Sequence, residues 1–372
     1  MREWLLDYLR CPVTRAPVRL VDARCDGDQI IGGRLVTPDE VHEYPIIDGV
    51  PRMLPGIRDA TDLRRVYADS FGYEWTTFNW SRTQDEREYF AVSDQTPETL
   101  AGRVVLDAGC GGGRVSRVIG QYCRRLIGLD YSVAVDRARR HTQDLDNCEF
   151  VQGDILHPPL APERFNYVWS HGVLHHTEIT QAGFAQLVGL VAHGGTLHAI
   201  VFLKTIWPLR VSDGLLRRVL RKLPYASAAR ICRWMGVLRH LPAARFWKRF
   251  VWFSLQPTAD LREYCNFDWY MPRYHHEHSV AEVQRWFRDA GFVAPCYING
   301  WPDAPPAERF VAPQGWRRVR LGQLLGVVGK KAVPVKTAPE ADLVAPAVRV
   351  PAAAVAPVPA IAPPAPGTVV VR

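Results

Sequence analysis

Short apolar runs recur through the middle of the chain, separated by stretches of helical periodicity. Val104-Val105-Leu106 closes on Asp107, and Leu126-Ile127-Gly128-Leu129 closes on Asp130. Residues 148–152 (CEFVQ) precede Gly153-Asp154-Ile155. Residues 165–170 (FNYVWS) precede His171-Gly172-Val173-Leu174-His175-His176, and residues 196–202 (TLHAIVF) follow Gly194-Gly195. Runs of this length between turn formers predict strands buried on both faces. Between them, residues 114–121 place Val115, Val118 and Ile119 on one helical face, and residues 133–141 and 184–191 also read as helices. Further on, Ser279-Val280-Ala281-Glu282 has capping-box spacing and opens a helix that Gly291 stops. Residues 292–298 read as a sixth strand and residues 309–312 as a seventh. The alternation predicts an α/β fold: a doubly wound, mostly parallel seven-stranded sheet with ligand at the strand C-termini.

The chemistry concentrates where the first run ends. Asp107, Gly109, Gly111 and Gly113 spell D-x-G-x-G-x-G just before a helix, whose free N–H groups face the turn. The glycines let backbone approach a ligand closely. A dinucleotide fingerprint, G-x-G-x-x-G, would need glycine at 114, which is arginine. An acid so near the turn would also repel a pyrophosphate. It suits a ligand with a positive end, such as an amino-acid headgroup beside a sulfonium. Local roles compete: Asp107 as a turn cap, Asp130 as an N-cap rivalled by Ser132, and Asp154 as a turn former.

Residues 100–203 resemble the class I S-adenosylmethionine-dependent methyltransferases, with 104–113 as motif I. The resemblance implies S-adenosylmethionine as cofactor, held by Asp107, Gly109, Cys110, Gly111, Gly113, Asp130, Tyr131, Asp154, Ile155 and Ser170. Asp130 would take the ribose hydroxyls; it stands 21 positions past Gly109, near the spacing of about 20 expected for that role. Asp154 would meet the adenine amino group and Ile155 the ring.

Other stretches divide the chain. Residues 1–58 resemble the zinc-ribbon activator module of many methyltransferases, but lack its C-x-x-C pairs: Thr14 stands where the second cysteine belongs. Cys11, Cys25 and His42 fall short of a tetrahedral set, so no metal is expected, and Leu9, Ile30, Leu35, Tyr44 and Ile46 should hold a metal-free β scaffold. Residues 59–99 combine a linker helix (59–70) with the aromatics Phe71, Tyr73, Trp75, Phe78 and Trp80. These are either a packed strap or a lid with Tyr73 or Trp75 facing the sulfonium. Residues 204–266 form an inserted helical subdomain with Arg and Lys interleaved among aromatics. It is read as a solvated basic face, as a surface for an anionic membrane (204–253), or as a cap for an anionic or lipid-bearing acceptor. Residues 267–330 complete the fold. The Ala/Pro-rich residues 331–372 lack the composition for a core and are expected to be disordered.

The formal charge of +8 over 372 residues is carried by that insertion. Eight scattered cysteines read as reduced thiols, and no apolar run approaches membrane-spanning length. A cytoplasmic protein is expected, with membrane-peripheral contact through the insertion as an option. DNA is not expected as a partner, and nothing in the pattern identifies a stable protein partner.

Methyl transfer needs alignment, exclusion of water and a proton acceptor. His171, His175 and His176 are the candidate bases, with His171 or His175 preferred and Tyr270 and His275 lining the acceptor pocket; His275, His276 and His278 form a second candidate cluster, which reads equally as metal-binding or as polar packing. The favoured function is S-adenosylmethionine-dependent methylation of a small-molecule acceptor at oxygen, the acceptor being a saccharide, a lipid-linked molecule or a secondary metabolite. Two alternatives stand: a non-catalytic scaffold of the same fold, and an RNA methyltransferase. The second would want an N-P-P-Y-like tetrapeptide where Ser170-His171-Gly172-Val173 stands.

Overall fold

The computed structural model describes residues 1–54, 73–74, 77, 85–93, 95–256, 258–298, 310–311 and 324–332. The predicted linker helix, the aromatics Phe71, Trp75, Phe78 and Trp80, and the predicted tail beyond residue 332 lie outside the described residues. The chain first forms an antiparallel meander, β1 (Arg19–Asp26), β2 (Gln29–Val36), β3 (Glu43–Ile47) and β4 (Val50–Pro51). Leu9, Ile30, Leu35, Tyr44 and Ile46 are buried in it as the sequence predicts. Cys11 is buried with its Sγ 3.2 Å from the Tyr44 hydroxyl, while Cys25 is exposed. Among the described residues, no three Cys, His, Asp or Glu side chains group as metal ligands would.

The main sheet follows. Its strands are β5 (Val104–Ala108), β6 (Arg125–Asp130), β7 (Cys148–Gln152), β8 (Phe165–His171) and β9 (Val191–Phe202), then β10 (Phe292–Ile298), β11 (Phe310–Val311) and β12 (Leu324–Lys331). The order is β11-β10-β12-β9-β8-β5-β6-β7. The five strands from β9 to β7 run parallel, and β12 and β10 add antiparallel. This is the doubly wound seven-stranded sheet expected, with a two-residue edge strand. Helices α1 (Asp85–Val92) and α2 (Pro97–Leu100) precede it. Within it, α3 (Arg114–Gly120), α4 (Ala134–His141) and α5 (Thr180–Leu190) connect the strands.

Three expectations are corrected. The seventh strand is not 309–312, which supplies only the edge strand β11. It is β12, wedged between β9 and β10, where two glycines and two terminal lysines dilute the apolar signal. Gly329 is needed there, since a Cβ would come within 2.7 Å of the Phe287 ring. Gly194-Gly195 is not a turn before the strand but a bulge inside β9: pairing with β8 jumps between Phe165 and Tyr167, and Gly194 has φ of +75°. The boundary at 266 cuts a helix. The insertion comprises α6 (Trp207–Leu220), α7 (Tyr225–Met235), α8 (Ala244–Trp247) and α9 (Ala259–Tyr270), and α9 closes its core with Phe267, Trp269 and Tyr270. After it, α10 (Val280–Asp289) begins with the predicted capping box: Ser279 Oγ accepts from the Glu282 N–H at 3.2 Å.

The N-terminal module shares its core with the main domain, Leu9 and Leu35 joining one cluster with Leu106, Ile127 and Phe165. Arg52 is 1 % exposed, donates to Gln152 Oε1 at 3.2 Å and pairs with Asp136 of α4, so it ties the meander to the β7 edge.

Candidate active site

The tips of the parallel strands all point the same way, and the glycine turn joins β5 to α3 at that end. The Gly109 and Cys110 N–H groups donate to the Leu129 carbonyl at 2.7 and 3.1 Å, which sets the turn against β6. The expectation that all three glycines clear space for a ligand is corrected. A Cβ on Gly109 would lie 2.1 Å from Val173 Cγ2, and one on Gly113 would lie 2.6 Å from the Ala138 Cα. Those two glycines are demanded by protein packing on protein. Gly111 has φ of +50° and turns its N–H to Asp130 Oδ2 at 2.8 Å.

Asp130, at the tip of β6, also accepts from the Ser132 N–H and hydroxyl, at 2.8 and 2.7 Å. It therefore does not cap α4, whose N-cap position is Val133. Asp107 is buried under the turn, and its Oδ2 accepts from the Ser116 hydroxyl at 2.6 Å. Burial pushes its carboxyl up to about 7, against the Ser116 hydrogen bond, with Asp130 pushing the same way as burial. A cation arriving beside it would favour the charged form. Asp154 uses Oδ1 to close a turn on the Leu156 N–H at 2.8 Å, the turn-forming role weighed above, while Oδ2 lies 3.5 Å from His157. Ile155 and Cys110 are buried, and burial pushes the Cys110 thiol far above its ordinary range. Tyr131 is exposed. Ser170 is buried, and its Oγ has no hydrogen-bond partner among the described residues.

Beside this lies a second set of groups, at the ends of β8 and β9. His171 ends β8 half-buried, and burial next to Arg114 lowers its pKa to about 3, so the ring is neutral. His175 is corrected as a base. It is fully buried, stacks on Phe202 at 3.7 Å, and its Nδ1 accepts the Phe202 N–H at 3.2 Å. That leaves Nε2 as the protonated nitrogen of a neutral ring, with no lone pair to take a proton. Tyr270 is corrected as a pocket residue: it is fully buried, donates to the Trp252 carbonyl at 2.8 Å and lies 3.3 Å from Asp213 Oδ1. His275 packs between Phe202 and Trp269, at 4.7 and 4.6 Å, with Glu277 at 3.8 Å. Tyr73 packs on the insertion, its ring 5.5 Å from Tyr225 and 5.4 Å from Phe267.

Sequence places His176 among the candidate bases and Asp268 in an acceptor-rich stretch, but does not pair them. The His176 ring meets the Tyr274 carbonyl through Nδ1 at 3.0 Å, which makes Nδ1 the donor and turns Nε2 to Asp268 Oδ1 at 3.6 Å. Burial lowers His176 to about 3 and raises Asp268 to about 7, so a proton between them stays on the carboxyl until near neutrality. Asp213 was missed, although a signal existed: it is the single acid among twelve bases over residues 204–250. It is buried, accepts the Trp269 indole N–H at 3.0 Å, and burial raises it to about 7.

A doubly wound sheet with an acid-glycine turn and carboxylates at its strand tips is the arrangement that the resemblance to class I methyltransferases implies. Residues 106–199 match the methyltransferase domain family, and residues 2–49 match the Trm112p-like protein family. The chain is similar to an uncharacterized methyltransferase of Mycobacterium tuberculosis, 28% identical over 135 residues, 34% of this chain and 68% of that one. It is also similar to the malonyl-[acyl-carrier protein] O-methyltransferase of Enterobacter lignolyticus, 29% identical over 134 residues, 36% of this chain and 52% of that one. Among solved structures, a complex containing the Haloferax volcanii Trm112 methyltransferase activator aligns with a TM-score of 0.41 at 18% identity, covering 74% of this chain and 100% of that one.

Proposed function

We propose that this chain transfers a methyl group from S-adenosylmethionine to a small-molecule acceptor at oxygen. The observation that carries the reading is the Asp130 carboxylate, held at the β6 tip by Gly111 and Ser132 beside the buried Asp107. The donor set fits the cofactor: a carboxylate for ribose hydroxyls, an acid for a cationic end, and the buried Ser170 hydroxyl, which has no partner among the described residues. When bound, the cofactor supplies an activated methyl on sulfur. Asp130 orients the ribose, Asp154 and Ile155 take the adenine, and Cys110, Gly111 and Tyr131 border the same tip.

A hydroxyl acceptor must lose its proton. Asp268 holds a pKa of about 7 and is ionised above neutrality, which matches a general base better than His171 at about 3. His176 holds the proton path and His275 borders it. The acceptor is a saccharide, a lipid-linked molecule or a secondary metabolite, and the Enterobacter relative, named an O-methyltransferase, supports oxygen as the atom.

Calorimetry with S-adenosylmethionine, followed by transfer of its labelled methyl into fractionated extract, tests this. Saturable binding lost in Asp130→Ala, with label appearing in small molecules, is expected. Binding without transfer would favour the scaffold alternative, label in RNA the nucleic-acid one, and retention of NAD(H) in place of S-adenosylmethionine would refute both cofactor and function.

A further inference from the structure

Eighteen large apolar residues are exposed among the described residues, and twelve of them fall between Ile206 and Phe250, in the insertion. The sequence alone allowed these residues to pack inward with arginines outward. On α6 the opposite holds for one row: Trp207, Val211, Leu215 and Val219 stand every fourth residue and are all exposed, while Leu209, Asp213 and Leu220 are buried behind them. Residues four apart on a helix form one continuous ridge. Trp207 and Trp234 are each 75 % exposed, and Phe246, Trp247 and Phe250 form a second exposed group with ring centroids 5.4 to 6.4 Å apart.

Charge accompanies this apolar surface. Arg218, Arg221, Lys222, Arg230, Arg245 and Arg249 are exposed, and none pairs with an acid among the described residues. Arg210 and Arg233 do have such neighbours, Glu277 at 3.7 Å and Glu263 at 3.3 Å. The segment's single acid, Asp213, is turned inward.

We propose that this face of the insertion docks on an anionic lipid surface, its tryptophans and aliphatic ridge entering the interface and its arginines meeting lipid phosphates. Three physical arguments select that occupant. Exposed aliphatics beside tryptophan and uncompensated arginine are the composition of interfacial helices. A nucleic acid would gain little from Val211, Leu215 and Val219, which have no ring to stack on bases. A second copy of the chain would bring two basic patches face to face, a repulsive arrangement. The insertion leaves the sheet at the C-terminal end of β9, the same end that carries the glycine turn, so docking would present the candidate active site toward the membrane.

The inference does not depend on methyl transfer. Its test is co-sedimentation of the full chain with vesicles of phosphatidylcholine alone and with about one third phosphatidylglycerol. Binding at least about tenfold tighter to the anionic vesicles, with a blue shift of tryptophan emission, is expected. Arg218→Glu combined with Arg221→Glu and Lys222→Glu should abolish the anionic preference. Trp207→Ala with Trp234→Ala should retain attraction at low salt but lose retention at high salt and most of the blue shift. All five side chains are exposed, so melting curves and cofactor affinity should match the parent chain. No partition into either vesicle, equal partition into both, or binding unchanged by charge reversal would overturn the proposal. So would tighter binding to single-stranded RNA than to vesicles, or patch-dependent dimers in place of vesicle binding.

Discussion

The tip of β5 and β6 and the tip of β8 and β9 lie side by side on one sheet, yet they are built by opposite means. At the first, every acid is held by near neighbours in the chain or by the adjoining turn: Asp107 by Ser116, Asp130 by Gly111 and Ser132, Asp154 by Leu156. At the second, groups arrive from remote segments. Phe202 of β9, Arg217 of α6, Asp268 of α9 and the loop to Glu277 close around His175 and His176, with Arg217 donating to the Trp269 and Pro272 carbonyls. The first arrangement depends on spacing along the chain. The second depends on a sixty-odd-residue insertion folding back onto the sheet, and it is where buried titratable groups accumulate.

Glycines break the comparison most sharply. Gly113→Ala places a Cβ 2.6 Å from the backbone of α4 at φ of +77°. It should destabilise by about 3 to 5 kcal/mol. Gly172, at φ of +74° by the second tip, has open space around its missing Cβ. Gly172→Ala should cost about 1 kcal/mol. Urea midpoints read both, and equal shifts would show that the turn is no tighter than its neighbour.

Next in size is the division of labour. Asp130→Ala should weaken S-adenosylmethionine binding by about 10- to 100-fold through loss of charged hydrogen bonds. Asp268→Asn should leave affinity within about twofold while removing the rise of rate with pH near 7, the acid-side limb of the profile. Affinity lost equally in both variants would erase the distinction between the two tips.

A third difference lies in pH. Asp107 has its pKa raised to about 7 in the folded chain, so the fold holds that proton more tightly than the unfolded chain does. The stability it contributes is full below the ordinary carboxylate range and is lost as pH rises through about 7. His171 and His176, lowered to about 3, act in the opposite direction: they cost stability as pH falls from their ordinary range. Parent minus Asp107→Asn isolates the first effect; the difference should shrink steadily between about pH 4 and 7. A difference that grows with pH would reverse the assigned shift.

The smallest effect concerns Tyr73. Packed on Tyr225 and Phe267, it belongs with the insertion, and Tyr73→Ala should cost about 1 to 2 kcal/mol of stability with cofactor affinity unchanged. Weakened affinity at unchanged stability would restore the lid role weighed from sequence.

The alternation of apolar runs and helical periods was enough to order β5 through β10, because buried parallel strands and amphipathic helices carry their periods in adjacent residues. The cofactor acids were readable for the same reason: each sits at a strand end beside its own turn. What adjacent residues could not disclose was decided by packing at a distance. The reason Gly109 and Gly113 must be glycine lies in Val173 and Ala138. The withdrawal of His175 and Tyr270 from chemistry lies in Phe202, Trp252 and Asp213. The outward ridge of α6 follows from which of its faces the aromatic core of the insertion covers. Local spacing fixes dihedral angles and turns, and so it specified the strands and the carboxylates. Burial, which sets proton affinities and exposes or hides a side chain, is a property of the whole assembled fold, and only the tertiary structure could supply it.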